Sequence, residues 1–84
     1  MMTLNEILNG KSSILNRLIG YKIDVWDYED EDDNTTPKNN ESGFVIDVWS
    51  YFVKVKISND DIRYFHRTHI TNIHWDKRIP KQMI

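Results

Sequence analysis

The sequence predicts a mainly β fold with an N-terminal helix, in a single domain of 84 residues. Near the N-terminus, apolar residues recur at three- and four-residue spacing, which is typical of an amphipathic helix. From residue 21 onward they alternate with polar residues, and a period of two is typical of half-buried strands. A chain of this length buries roughly two-thirds of its unfolded surface, so we expect one thin core.

The helical segment is expected over residues 3–19. Thr3 and Glu6 have the spacing of a capping box, in which each side chain accepts the backbone N–H of the other residue. Gly10 is expected to divide the segment into two pieces, and Gly20 is expected to end it. The apolar stripe of the segment consists of Leu4, Ile7, Leu8, Ile14, Leu15 and Leu18.

About five short strands are expected over residues 20–75, beginning with residues 21–26. An acidic, solvated loop is expected at residues 27–42, which contain little to bury. The run 44–57 is rich in branched and aromatic residues, but its inward-facing phase changes near Ser50. Such a change requires a bulge or a tight bend, so the run is interpreted as two strands or one sharply bent strand.

The remaining chain is expected to complete the sheet. Residues 59–61 have the composition of a turn, and residues 62–66 alternate as a strand. A single helical turn is expected at residues 67–69, followed by a short closing strand over residues 70–75. Residues 76–84 are interpreted as a basic tail.

The core is expected to depend on the aromatic residues, because a thin core needs large side chains to bury enough area. The aromatic residues expected to determine folding are Trp26, Phe44, Trp49, Tyr51, Phe52, Tyr64 and Phe65. The strand residues expected to be well buried are Phe44, Ile46, Val53 and Val55.

This order of elements resembles the small five-stranded β-barrels of SH3-like and Sm-like type. The segments that resemble the bent second and third strands of an Sm-type barrel are Gly43-Phe44-Val45, Tyr51 and Val53–Ile57. The run Tyr64-Phe65-His66, followed by Ile70 and Ile73, is similar to the tyrosine-x-histidine segment of the bacterial Sm-like RNA chaperone. The resemblance covers roughly residues 15–75 and implies a small barrel.

The composition excludes several classes of site. The chain has no cysteine, which excludes disulfides, thiolate catalysis and cysteine-containing zinc sites. We expect a cytoplasmic, non-membrane protein, because no signal-peptide pattern and no run approaching the roughly 18 apolar residues of a membrane span are present. No nucleophile with a neighbouring base and an orienting acid can be recognised, so neither catalysis nor a cofactor is expected.

The three histidines do not predict a metal site. His66 and His69 would point to opposite faces of an extended chain, and His74 belongs to another strand. The acidic run partly matches a calcium-binding loop, but Thr35 occupies the position at which such a loop requires glycine. We therefore expect no metal ligand in this chain.

The charges divide the chain into two halves of opposite sign. Residues 1–43 contain four Lys/Arg and nine Asp/Glu, a net charge of −5, whereas residues 44–84 contain seven and four, a net charge of +3. Two surfaces of opposite sign are therefore expected.

The basic half supports the leading functional hypothesis, a non-catalytic module that binds single-stranded nucleic acid. Arginine neutralises phosphates and exposed aromatic rings stack on bases, so basic residues interleaved with rings suit this ligand. The same composition also fits an ordinary solvated strand and tail. The candidate residues are Arg63, Tyr64, Phe65, His66, Arg67, Trp75, Lys77 and Arg78.

The acidic half supports an alternative, a small inhibitor or adaptor that binds a basic protein. A dense line of carboxylates can imitate a phosphate backbone, and the chain is similar in general character to small acidic inhibitors from phages and mobile elements. A loop that charge merely keeps solvated is the simpler interpretation. The candidate residues are Asp27, Glu29, Asp30, Glu31, Asp32 and Asp33. A third possibility is a subunit of a homo-oligomer.

Overall fold

The computed structural model describes residues 2–28, 37–80, 82 and 84. In chain order, the elements are α1 (Leu4–Asn9), a first 3-10 helix (Ser12–Leu18), β1 (Tyr21–Tyr28), β2 (Pro37–Trp49), β3 (Phe52–Ser58), β4 (Asp61–His66), a second 3-10 helix (Arg67–His69) and β5 (Ile70–Arg78). The five strands form one sheet of order β4-β3-β2-β1-β5, in which every neighbouring pair is antiparallel. The prediction of a mainly β fold with an N-terminal helix is confirmed.

The N-terminal segment begins with the expected capping box. The Glu6 N–H donates to Thr3 Oγ1 at 3.2 Å, and the Thr3 N–H donates to Glu6 Oε1 at 3.1 Å. The hydrogen bond from the Thr3 backbone lowers the pKa of Glu6, because it favours the ionised carboxylate. Gly10 separates α1 from the first 3-10 helix, so the predicted division of the segment is confirmed.

Gly20 connects the helical segment to the sheet. Its φ of +94° lies in the left-handed region that favours glycine. Its N–H donates to the Val45 carbonyl at 2.7 Å, and its own carbonyl accepts the Ile79 N–H at 2.9 Å. The start of β1 is thereby tied to β2 and to the chain that follows β5.

The change of phase between β2 and β3 has two parts. A bulge at Ile46 shifts the register between Val45 and Asp47, so Val45 and Val48 both face inward, against Val55 and Val53. A tight turn at Ser50 and Tyr51, with Ser50 at φ 54°, then reverses the chain. The run therefore forms two strands, and the inward phase changes twice: at the bulge at Ile46, and at the tight turn that was predicted near Ser50.

The core is aliphatic, which corrects the expectation of an aromatic core. Val53 and Val55 are buried as predicted, but Phe44 and Ile46 are only half-buried, because the bulge turns Val45 inward in their place. Of the seven aromatic residues expected to determine folding, only Phe65 belongs to the core. The core cluster is Ile7, Leu15, Leu18, Ile23, Val25, Val45, Val53, Val55, Phe65 and Ile70.

The strands extend into segments that the sequence assigned to a loop and a tail. β1 continues to Tyr28 and β2 starts at Pro37, so residues 27, 28 and 37–42 belong to strands. Residues 29–36 of the expected acidic loop lie outside the described residues. β5 continues three residues past Trp75, to Arg78. No helix in the described part of the chain is long and apolar enough to cross a membrane.

Candidate nucleic-acid interface

The outward-facing residues of β2, β3 and β4 form three rows across the sheet, here called the outer face. Val53 and Val55 point into the core, so the alternate residues of β3 point to the opposite side. The strand register sets their neighbours on β2 and β4. Row by row, the outer face consists of Trp49, Phe52 and His66; Asp47, Lys54 and Tyr64; and Phe44, Lys56 and Ile62.

An aromatic depression lies at the end of the outer face nearest the β2–β3 turn. Trp49, Phe52 and Tyr64 line it, and its volume is about 350 Å³. Trp49 is 70% exposed and Tyr64 is 54% exposed. The rings of Trp49 and Phe52 are stacked with centroids 6.3 Å apart, and His66 meets Phe52 edge-on at 5.2 Å. Broad ring surfaces are therefore open to a ligand.

The central strand of the outer face, β3, carries two lysines that no carboxylate in the described part of the chain neutralises. Lys54 places its Nζ 5.7 Å from the centroid of the Tyr64 ring. None of the ion pairs among the described residues involves Lys54 or Lys56. Asp47 lies opposite Lys54 in the ladder, but its Oδ1 accepts the backbone N–H of Val48 at 2.8 Å. The two ammonium groups remain available to an anionic ligand.

A second depression lies at the other end of the outer face. Its volume is about 220 Å³, and it is bordered by Phe44 and Lys56 from the third row, together with Ile79. Lys54 and Lys56 therefore lie between two largely apolar depressions.

His66, which contacts Phe52 of the aromatic depression, has a defined ring orientation. The Thr68 N–H donates to His66 Nδ1 at 3.3 Å, and Thr68 Oγ1 lies 2.8 Å from the same nitrogen. A ring nitrogen that accepts an N–H carries no proton, so the proton of the neutral ring is on Nε2. The residue begins the second 3-10 helix while its ring contacts Phe52.

Arg63, a candidate from the sequence, is surrounded by carboxylates. Its guanidinium pairs with Asp27, with Asp61 at 2.9 Å and with Glu41 at 3.5 Å. Burial disfavours the charged form, but the hydrogen bonds and charges of Asp61 and Asp27 outweigh this effect and raise the pKa of Arg63. A residue of β4 thereby reaches β1 and β2 across the inner side of the curved sheet. Its charge is already compensated within the protein.

Two further candidates are buried. Phe65 is 5% exposed and belongs to the core, and Arg67 is 9% exposed. The Arg67 guanidinium donates to the Gly10 carbonyl at 2.7 Å and lies 5.2 Å from the centroid of the Tyr51 ring. Neither side chain presents a free surface to a ligand.

The remaining three candidates, Trp75, Lys77 and Arg78, lie on β5, which is the edge strand opposite to β4. Trp75 packs edge-on against Tyr21 with centroids 5.0 Å apart, and the Arg78 guanidinium lies 4.9 Å from the Tyr21 ring centroid. Lys77 is exposed. Of the candidates on β4, only Tyr64 and His66 belong to the outer face, so the eight residues do not form one surface.

The acidic candidates are only partly described. Asp27 contacts Arg63, so one carboxylate of the run pairs with the basic segment of the same chain. The other five, Glu29, Asp30, Glu31, Asp32 and Asp33, lie outside the described residues.

A polar cluster on β1, β2 and β5 places Asp24 between Ser42 and His74. The Ser42 hydroxyl donates to Asp24 Oδ1 at 2.6 Å, and His74 Nε2 lies 3.0 Å from Asp24 Oδ2. Burial alone would raise the pKa of Asp24, but the hydrogen bonds from Ser42 and His74 outweigh it, so the pKa is lowered. In a nucleophilic triad, the histidine stands between hydroxyl and carboxylate, and here the carboxylate is central. The arrangement stabilises the sheet and does not activate the hydroxyl.

The histidines of the described residues do not converge with carboxylates into a metal-binding group of three. His66 precedes the second 3-10 helix, His69 is the last residue of that helix, and His74 lies in β5. Burial lowers the pKa of His69, and the nearby charge of His66 lowers it further.

Seven of the nine residues of the outer face were absent from the sequence-based site, among them Trp49, Phe52, Lys54 and Lys56. The alternation of β3 contained the necessary signal. Lysines that alternate with valines must face solvent, and Phe52 shares their parity, so it must also face outward. The expectation that Trp49 and Phe52 help to determine folding concealed this.

Comparison of the chain with protein-family models, curated proteins and solved structures finds no match.

Proposed function

We propose that this protein is a non-catalytic module that binds single-stranded nucleic acid on its outer face. One observation carries the proposal: an open aromatic depression lined by Trp49, Phe52 and Tyr64 lies beside two lysines that form no ion pair with the described residues. Both parts of a nucleotide, the flat base and the charged phosphate, have a matching group on this surface.

The aromatic rings would provide binding energy without sequence preference. Stacking of a base on an exposed aromatic side chain contributes about 1–3 kcal/mol per base. Bases in a duplex are already stacked on each other, so the exposed faces of Trp49 and Tyr64 suit an unpaired strand. The proposal therefore specifies single-stranded ligands.

The lysines would provide the salt-dependent part of the binding. Each phosphate neutralised by Lys54 or Lys56 releases condensed counterions from the strand, which favours binding at low salt. Arg63 and Arg67 do not contribute, because one is paired with three carboxylates and the other is buried. The proposed interface thus moves from the C-terminal segment to the outer face of β2, β3 and β4.

We also propose that the sheet belongs to the SH3-like or Sm-like type of small barrel. The strand order β4-β3-β2-β1-β5 and the single helical turn between β4 and β5 support this classification. The contact between Arg63 and Asp27 supports it as well, because β4 and β1 are separated by two strands in the sheet. Only a strongly curved sheet brings such strands together.

Fluorescence anisotropy of labelled oligothymidylate and oligouridylate at low salt tests the function. The parent protein should bind both, and Trp49→Ala should weaken binding about fivefold or more, as expected for one lost stacking contact. Lys54→Gln should reduce the slope of log affinity against log salt by about 0.7. Lys77→Gln makes the same charge change on the exposed part of β5 and should leave the slope unchanged.

Two results would overturn the proposal. The first is the absence of oligonucleotide binding at low salt, where electrostatic attraction is strongest. The second is equal binding by the parent protein and Trp49→Ala. Either result would favour a protein partner, including the basic partner expected for the acidic segment.

A further inference from the structure

We infer that the outer face binds three consecutive nucleotides along β3, with Lys54 and Lys56 on the two phosphates that link them. The inference rests on the proposed function and specifies the length and direction of the ligand segment. Three features carry it: the spacing of the lysines, the spacing of the rows and the positions of the two depressions.

The spacing of the lysines matches that of a sugar-phosphate backbone. Lys54 and Lys56 are alternate residues of β3, so their Cα atoms are about 7 Å apart along the strand. One nucleotide contains the same number of backbone bonds as two amino-acid residues, so an extended single strand repeats over a similar distance. Two alternate lysines can therefore contact two successive phosphates.

The rows of the outer face provide a place for each base. The first row offers the open rings of Trp49 and Phe52, and the second offers Tyr64. The third row offers Phe44 and the exposed side chain of Ile62, beside the second depression. Adjacent rows are about 7 Å apart, so three consecutive bases can each lie on one row.

The ends of the outer face limit the length of the segment. The first row lies directly before the β2–β3 turn, since Trp49 and Phe52 are the last and first residues of their strands. Beyond the third row, the β3–β4 register shifts between Lys56 and Ser58, and β3 ends. Beyond the third row, a fourth nucleotide would find neither a ring nor a lysine of the outer face in line with the others.

Titration of the ¹⁵N-labelled full chain with oligothymidylates of increasing length tests the inference, because amide chemical shifts report weak binding. The dissociation constant should fall about tenfold between the dinucleotide and the trinucleotide, which adds one base and one phosphate. Longer oligomers should gain only in proportion to the number of overlapping trinucleotides that they contain.

Two variants test whether the third nucleotide lies on the third row. Phe44→Ala and Lys56→Gln should each weaken trinucleotide binding about threefold or more and leave dinucleotide binding nearly unchanged, since the dinucleotide prefers the aromatic depression. Trp49→Ala should weaken both ligands, and Lys77→Gln should weaken neither. Amide spectra of each variant in the absence of ligand check that the fold is retained.

The outcomes separate this inference from the function on which it rests. If long oligomers fail to bind at low salt, the proposed function is wrong. If they bind, but affinity continues to rise about tenfold with each nucleotide beyond three, the three-nucleotide segment is wrong and the function stands. An equal effect of Phe44→Ala on dinucleotide and trinucleotide would likewise overturn the assignment of the third row.

Discussion

The guanidinium of Arg67 donates a hydrogen bond to the carbonyl oxygen of Gly10, 57 residues earlier in the chain, at 2.7 Å. Gly10 ends α1, and its own N–H donates to the Glu6 carbonyl. The Arg67 backbone N–H donates to the Tyr51 carbonyl at 2.9 Å. One buried residue thus connects the N-terminal helix, the β2–β3 turn and the connection from β4 to β5.

Arg67→Met should lower the free energy of unfolding by about 2–3 kcal/mol, because it leaves the part-buried Gly10 carbonyl without its charged donor. Urea denaturation measures the change. Lys77→Met removes an exposed charge from β5 and should change stability by less than about 0.5 kcal/mol. Equal stability of the two variants would show that Arg67 does not contribute in this way.

Val45→Ala should destabilise the protein more than Ile46→Ala, although it removes fewer atoms. Val45 is fully buried in the core, and the bulge leaves Ile46 outside the core cluster. We expect a loss of about 1.5–3 kcal/mol for Val45→Ala and a clearly smaller loss for Ile46→Ala. If thermal or urea denaturation showed the larger loss for Ile46→Ala, the assignment of Val45 to the inward face of β2 would be wrong.

Arg63→Met should lower stability by about 1 kcal/mol at low salt, since it leaves the carboxylates of Asp27, Glu41 and Asp61 without a shared cation. The side chain of Arg63 is one-third exposed, which limits the effect. The difference from the parent protein should shrink as salt increases, because salt screens partly exposed charges. The guanidinium also lies 5.5 Å from the centroid of the Phe65 ring, so a difference that is independent of salt would indicate lost packing on that ring instead.

Asp24→Asn should produce a pH-dependent loss of stability. Hydrogen bonds from Ser42 and His74 outweigh burial and lower the pKa of Asp24 below its ordinary 3.8 in the folded state. The ionised carboxylate therefore stabilises the fold above that ordinary value, and this contribution is lost as pH falls through the lowered pKa.

The variant should be less stable than the parent protein by about 1–3 kcal/mol near pH 6, and the difference should narrow toward pH 2. Unfolding curves of both proteins at constant ionic strength measure it. A constant difference across this range would mean that Asp24 acts through its shape instead of its charge.

Local patterns were sufficient to predict much of the fold. The capping box joins Thr3 and Glu6, which are three residues apart, and the helical turn before Ile70 is equally local. Both features could therefore be predicted from neighbouring residues. The bulge at Ile46 could not be predicted in this way, because it depends on which residues of β3 lie opposite β2. Because Ile46 is unpaired, Val45 faces inward instead of Phe44.

The candidate site was harder to predict, because it is formed by three strands together. Arg63 and Arg67 belong to a residue type that commonly binds phosphates, but their partners in this structure, Asp27 and Gly10, are distant in sequence. A sequence pattern gives the charge of a side chain and does not reveal whether another part of the chain neutralises it. Lys54 and Lys56 remain available because no carboxylate of the described residues pairs with them.

The aliphatic core and the aromatic outer face occupy alternate positions of the same strands, with Val53 and Val55 on one side and Phe52 and Lys54 on the other. Natural selection can therefore alter the two sets almost independently. Substitutions at Trp49 or Tyr64 change the proposed binding surface at little cost to folding, so related chains can diverge at the outer face while keeping the same interior. The outward-facing positions are therefore the ones at which the sequence can change most easily.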